Sequence, residues 1–299
     1  MTHFALAHVD HFFRRLALQV VVVFAVYLVG RLIEEKRKID DAPNRKGVLL
    51  NCAHVLVFHG AELSIGVMTA YYLKLLVDKI PGYHAPIHFR GGAFEVFALT
   101  CLALATHDFF YYWLHRLQHT SKWLWAEHEL HHSDEHVNVT TSWRHHWLET
   151  VLQPLFILPP VLLLFNPVVG TVIWVILFPK LMVFFVHLNS PIRFGWFNRV
   201  LSTPQSHRIH HSKSPEHMNK NFATTLPLWD IVFGTYYQPK EHEWPSTGVT
   251  GVTVTSLWQA IVLPFASWGK MLREMWLVRD PVATNCACGD IAARHDGAQ

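Results

Sequence analysis

Along this chain apolar residues come in long runs, and polar residues gather between the runs rather than alternating with them. An α-helix needs about 20 apolar residues to cross the hydrocarbon of a bilayer. Runs near that length lie at about 16–33 (LALQVVVVFAVYLVGRLI), 48–77 and 93–114, the second interrupted by His54, His59 and Glu62. A fourth block, 151–188, has room for two spans and carries Lys180 as its only formal charge. Pro159, Pro160, Asn166, Pro167 and Gly170 break helices and make turns, so this block predicts a tight helical hairpin. The first run is too long for a removable leader and lacks a small-residue cleavage site, and is expected to remain as a span. Residues 256–278 mix tryptophan, proline and charge and predict an interfacial amphipathic helix. Residues 279–299 predict a flexible tail. The pattern as a whole predicts an all-α integral membrane bundle of about four to five transmembrane helices, forming a single domain over 1–278.

Counting crossings puts the loop near 31–47, the region 115–150 and everything after 188 on one side of the membrane. That side carries Arg31, Lys36, Arg37, Lys38, Arg45 and Lys46, against Arg14, Arg15, Lys79 and Arg90 opposite, so positive charge favours the cytoplasm for it. Composition supports a membrane protein: 51% of residues are hydrophobic and only 16% charged, where soluble domains have roughly 25% charge. A net charge of +3 forms no basic stripe, and nucleic acid is not an expected partner. Of the four cysteines, Cys52 and Cys101 sit in apolar runs, so no disulfide framework is expected; Cys286 and Cys288 form a bare C-x-C, weak evidence for a metal.

Histidine changes the picture, because the chain has 23 of them. His115 and His119 are four apart on a helix continuing out of the third run, so their rings share one face. Asp108 falls on the same stripe and would suit a carboxylate orienting a ligand ring. His128, His131 and His132 stand at i, i+3 and i+4, and His207, His210 and His211 repeat that H-x-x-H-H spacing. All three clusters fall on the same side of the membrane. Eight neutral donors exceed the four that one tetrahedral zinc takes, so two metals are implied, in a redox rather than a hydrolytic site.

These boxes resemble the fatty acid hydroxylase and sterol desaturase superfamily of membrane di-iron oxygenases. The motifs HRLQH, HELHH and HRIHH match its three histidine boxes, and DFFYYWLHR, HHSDEHVNVTTSWRHHWLE and NKNFATTLPLWDIVFGTYY match its flanking words, over about 93–238. Within it the likeness is to alkylglycerol monooxygenase-type members. The resemblance implies a helical cap on the cytosolic face holding a histidine-ligated dimetal site. Its ligands would be His115, His119, His128, His131, His132, His187, His207, His210 and His211, with His146, Asn189 or His107 as candidates for a tenth. It implies two iron ions, which zinc can replace on isolation, together with O2, an external electron donor and a lipid substrate. The donor would be a separate redox partner or a reduced pterin, since no dinucleotide fingerprint occurs in the chain. A bacterial inner membrane is the expected setting. Two other classes fit membrane histidines, a metal transporter and a haem cytochrome; neither accounts for two H-x-x-H-H copies on one face.

Overall fold

A computed structural model describes residues 2–36, 44–88, 91–166 and 169–279. The tail beyond 279, with Cys286 and Cys288, and the basic residues Arg37, Lys38 and Arg90 lie outside the described residues. Helix α1 covers Thr2–Lys36; α2 (Arg45–Ala61) passes through a π-helical turn, Glu62–Gly66, into α3 (Val67–Asp78); and α4 covers Ala93–Thr120. Three stretches, Phe12–Lys36, Arg45–Asp78 and Ala93–Thr120, are long and apolar enough to cross a membrane. Their outward side chains, such as Leu18, Val21, Leu28, Phe94 and Phe97, are exposed and apolar, as lipid-facing surfaces require.

The block at 151–188 folds as two shorter apolar helices, α6 (Glu149–Leu164) and α7 (Val169–Val186). Of the residues expected to break it, Pro159 and Pro160 do not do so, since α6 runs through them and through Pro154; the helix ends at Leu164, just ahead of Asn166. Membrane helices tolerate proline where neighbouring elements satisfy the freed carbonyls, and α6 is packed between α3 and α4. The chain leaves α6 at Phe165–Asn166 (β2), which pairs in parallel with Ile87–His88 (β1).

Between these helices lies a polar cap. Helix α5 (Lys122–His132) begins after Ser121, whose extended backbone (φ −101°, ψ 116°) ends α4 and folds α5 back against it. Helix α8 (Pro204–His210) is fixed at its start by a reciprocal cap: Ser206 N–H donates to Thr203 Oγ1, and Thr203 N–H donates to Ser206 Oγ. Helix α9 (Leu228–Val232) and the long α10 (Leu257–Arg279) complete the set, α10 packing on α5. Tyr27, Val55, Phe58, Val139, Trp143 and Phe184 form a core that ties α1, α2 and α7 to the cap.

Buried polar groups tie the cap to the spans. Near the end of α1, Glu34 accepts from the backbone N–H of Val139 (2.8 Å) and of Asn189 (2.9 Å), holding two cap loops. Asn51 in α2 donates to Asp134 and accepts from Arg144, whose guanidinium also donates to Ser133 and to the Leu130 carbonyl. An unpaired polar group here would cost about 1–3 kcal/mol, so these bonds fix the loops that follow α5.

Candidate metal centre

Two groups of histidines converge inside the cap. His115 and His119 from α4, His128 and His132 from α5 and His210 from α8 bring five ring nitrogens within 4.8 Å of one another. His131 from α5, His187 just past α7, and His207 and His211 from α8 and its end form a second group of four. All but His119, which is half-buried, are buried. The nine residues singled out in the sequence thus fall together, drawn from four segments.

The hydrogen bonds aim the lone pairs inward. Nδ1–H of His115 donates to the Phe222 carbonyl (2.6 Å), that of His187 to Val183 (2.6 Å) and that of His210 to Lys220 (2.9 Å). A neutral imidazole has one N–H, so in these three rings Nε2 carries a bare lone pair. His115 Nε2 faces His128 Nε2 at 3.0 Å, and the Nε2 atoms of His131, His187, His207 and His211 form a chain with 3.2 Å steps. Nε2 of His119, His132 and His210 is buried with no hydrogen-bond partner among the described residues. Buried nitrogens left this way are costly. Metal–nitrogen bonds of about 2.0–2.1 Å would satisfy them and would set neighbouring ligand atoms about 3 Å apart. The donor set therefore fits one metal ion in each group.

Burial holds His128, His131, His132, His207 and His211 well below the ordinary histidine value, and lowers His210 and His145 to about 4 and about 3. A ligand must be neutral, so the site is ready for metal throughout the physiological range. The sign for stability follows: the unfolded chain binds protons below about 6.5, which the folded rings refuse. Protein freed of metal by a chelator should therefore lose stability progressively as pH falls from about 6.5 to about 4. Thermal unfolding in detergent checks this, and a melting temperature flat across that window would contradict it.

A third grouping joins His128 to His145 and Glu149. His145 stacks on His131, with ring centroids 4.1 Å apart and planes 12° apart, while His54 Nε2 meets the His145 carbonyl at 2.5 Å. Neither histidine candidate for a tenth ligand, His146 or His107, joins a group. His146 turns away to the Ile261 carbonyl (2.9 Å) and Phe265 on α10, Asn189 Oδ1 accepts from Arg208, and His107 lines a cavity described below. Asp108 also departs from expectation, because its carboxylate caps the Leu226 N–H (3.1 Å) instead of a ligand ring. His217, which reads in the sequence as an ordinary surface residue, is buried between Ser212 and Glu243.

Support for the ligands comes from residues with weak sequence signals. Asp230 accepts from the N–H groups of Phe222 and Ala223 (2.9 and 2.8 Å) and from Thr235 Oγ1 (2.7 Å), fixing the loop whose carbonyl orients His115. Gln118 donates to both Glu127 and Glu149. Burial, and next the nearby Glu149, push the Glu127 carboxyl well above the usual range.

A cavity of about 360 Å³ approaches the groups, separated from them by His145, which stacks on His131. Its wall includes His145, Tyr111 and Thr150 near the histidines and Val67, Ala70, Val161 and Val175 at the far end. A second opening, on the cap side, is lined by His119, His132 and His210 together with Trp125, Lys122 and Lys213.

Helices that suit a membrane and clustered neutral histidine donors define a membrane protein with a metal-binding type of site. Residues 100–235 match the Fatty acid hydroxylase family. It is 37% identical over 134 residues to alkylglycerol monooxygenase of Xenopus tropicalis, covering 45% of this chain and 29% of that protein. The human alkylglycerol monooxygenase is 35% identical over 134 residues, with 45% and 29% covered. Ornithine lipid hydroxylase OlsE of Rhizobium tropici is 27% identical over 219 residues, covering 73% of this chain and 66% of that protein. The chain thus spans under a third of those two monooxygenases and about two thirds of the ornithine lipid hydroxylase. No solved structure matches it significantly.

Proposed function

We propose that this protein is a membrane-bound di-iron oxygenase that uses O2 to hydroxylate or desaturate an alkyl chain of a lipid. The observation that carries the proposal is the convergence of nine histidines into groups of five and four, one layer of side chains from an apolar cavity. His115, His119, His128, His132 and His210 would hold one iron, and His131, His187, His207 and His211 the other. Bound iron supplies the oxygen activation that an unactivated C–H bond requires. The chain's own part is positional: the carbonyls of Phe222, Val183 and Lys220 retain the Nδ1 protons, so the lone pairs at Nε2 stay directed inward.

The relatives named above act on alkylglycerols and ornithine lipids, which supports a lipid substrate here. Reducing equivalents come from outside the chain, from a redox partner or a reduced pterin; the cap-side opening at His119, His132 and His210 offers that donor a route distinct from the lipid cavity. Arg31, Lys36, Arg45 and Lys46 support a cytoplasmic cap in a bacterial inner membrane. A transporter would spread its ligands along a path between spans, whereas both groups here gather in the cap.

Metal analysis of purified protein should give about two irons per chain, with zinc as a substitute because ferrous iron sits low in the affinity order. The spectrum should lack a Soret band, and lipid extracts of expressing cells should gain species heavier by one oxygen or lighter by two hydrogens. A strong Soret band would favour a cytochrome, and an unchanged lipid profile would count against the oxygenase.

A further inference from the structure

Partway along the membrane-side cavity, an ion pair interrupts the apolar wall. Lys180 of α7 donates to Glu62 at the π-helical turn between α2 and α3, and the other carboxylate oxygen of Glu62 meets His59 Nδ1 at 2.8 Å. Charges among membrane helices are expensive and usually mark a path for ligands or ions. A pair that merely tied α7 to α2 would be closed over, but here the side chains of Lys180 and Glu62 remain 34% and 24% exposed and both line the cavity.

Local backbone supports the opening. The π-helical turn is a rare feature, frequent at functional sites, and its last residue, Gly66, lies so near α6 that a Cβ would stand 3.2 Å from the Thr150 carbonyl. Lys180 precedes His187, which lies just past the end of α7, by seven residues, about two helical turns or about 10 Å of rise. The pair therefore sits between the histidine groups and the apolar far end of the cavity.

We infer that Lys180, balanced by Glu62, is a specificity-determining clamp that donates a hydrogen bond to a neutral oxygen acceptor within the substrate chain, such as an ether, ester or amide oxygen, and thereby sets which carbon reaches the metal groups. This rests on the lipid-binding part of the proposed function. Each oxygen of Glu62 already accepts one hydrogen bond, from Lys180 and from His59, and the carboxylate's part is to balance the ammonium. Lys180 has N–H groups left over, and its ammonium lies 5.5 Å from the centre of the Trp143 ring. Because carboxylate and ammonium cancel, the site favours a neutral acceptor over an anion.

The test is equilibrium binding to the full-length protein in detergent, by displacement of a fluorescent polyene chain. The competitors are dioctyl ether and heptadecane, which differ only by oxygen in place of a methylene, with palmitate as an anionic third. The parent should bind the ether about tenfold more tightly, the size of one hydrogen bond to a charged donor. Lys180→Met should bring the two to near parity, and Lys180→Arg should keep the preference. Glu62→Gln unbalances the charge and should shift preference from dioctyl ether toward palmitate. Equal affinities in the parent, a preference that survives Lys180→Met, or an unchanged order in Glu62→Gln would each overturn the clamp. Binding needs no turnover, so an ether preference in a protein that oxidises no lipid would defeat the oxygenase and leave the clamp standing.

Discussion

Replacing His131 or His210 by alanine is expected to yield protein that still reaches the membrane but holds little metal and oxidises no lipid. The two substitutions strike different groups. His131 is one of four donors in the second group, its Nε2 3.2 Å from that of His187, and His210 contributes an inward lone pair to the first. Three remaining donors in the second group leave a weaker, more open site, and a fall in activity of at least 100-fold follows if each iron is essential. Neither ring belongs to the apolar core that joins α1, α2 and α7, so insertion should survive. Metal content by elemental analysis and products by mass spectrometry provide the check. Full metal and full turnover in either variant would remove those residues from the ligand set. His242, whose side chain is 90% exposed, supplies the control: its alanine variant should match the parent.

Asp230→Ala should weaken the site without touching it. The carboxylate holds the Phe222 and Ala223 amides and the Thr235 hydroxyl, all buried, and the same loop presents the carbonyl that fixes the His115 proton. Stranding those donors should cost about 1–3 kcal/mol each in the worst case. Loss of an orienting partner typically lowers metal affinity about 10–100-fold. Chelator competition and thermal unfolding together read both effects. Asp230→Asn, which keeps an acceptor oxygen, should fall between the alanine variant and the parent. An alanine variant with parental metal affinity would show that the loop holds itself.

Periodicity and spacing made the central features legible before any coordinates. Helix α4 continues out of its apolar run, so the four-residue step from His115 to His119 does place both rings together, and the two H-x-x-H-H copies meet in space as their repetition suggested. Helical spacing is a local rule, and it succeeds where the chain is helical. It says nothing at His145 and His146, which lie in irregular backbone after the 3₁₀ turn Val139–Trp143, where no period tells which ring turns inward. The prolines of α6 misled for another reason: a helix breaker in water is tolerated where neighbouring helices satisfy the backbone. Partners more than a hundred residues apart left no trace in the pattern. Glu34 reads as one of several charges ending the first span, yet it grips amides at 139 and 189; Glu62 and Lys180 read as interruptions in two separate runs. Asp108 lay on the ligand stripe, but a loop from beyond residue 220 claims its carboxylate first.

Helices α5 and α8 each send side chains to both histidine groups: His128 and His132 go one way and His131 the other, as do His210 against His207. With one rigid turn shared between two cages, neither cage can be reshaped alone. Filling the first therefore prepays much of the ordering needed for the second, and emptying one loosens its neighbour. If each group holds an ion as proposed, such a centre would load and unload as a unit, and a half-filled protein should be a scarce, short-lived species.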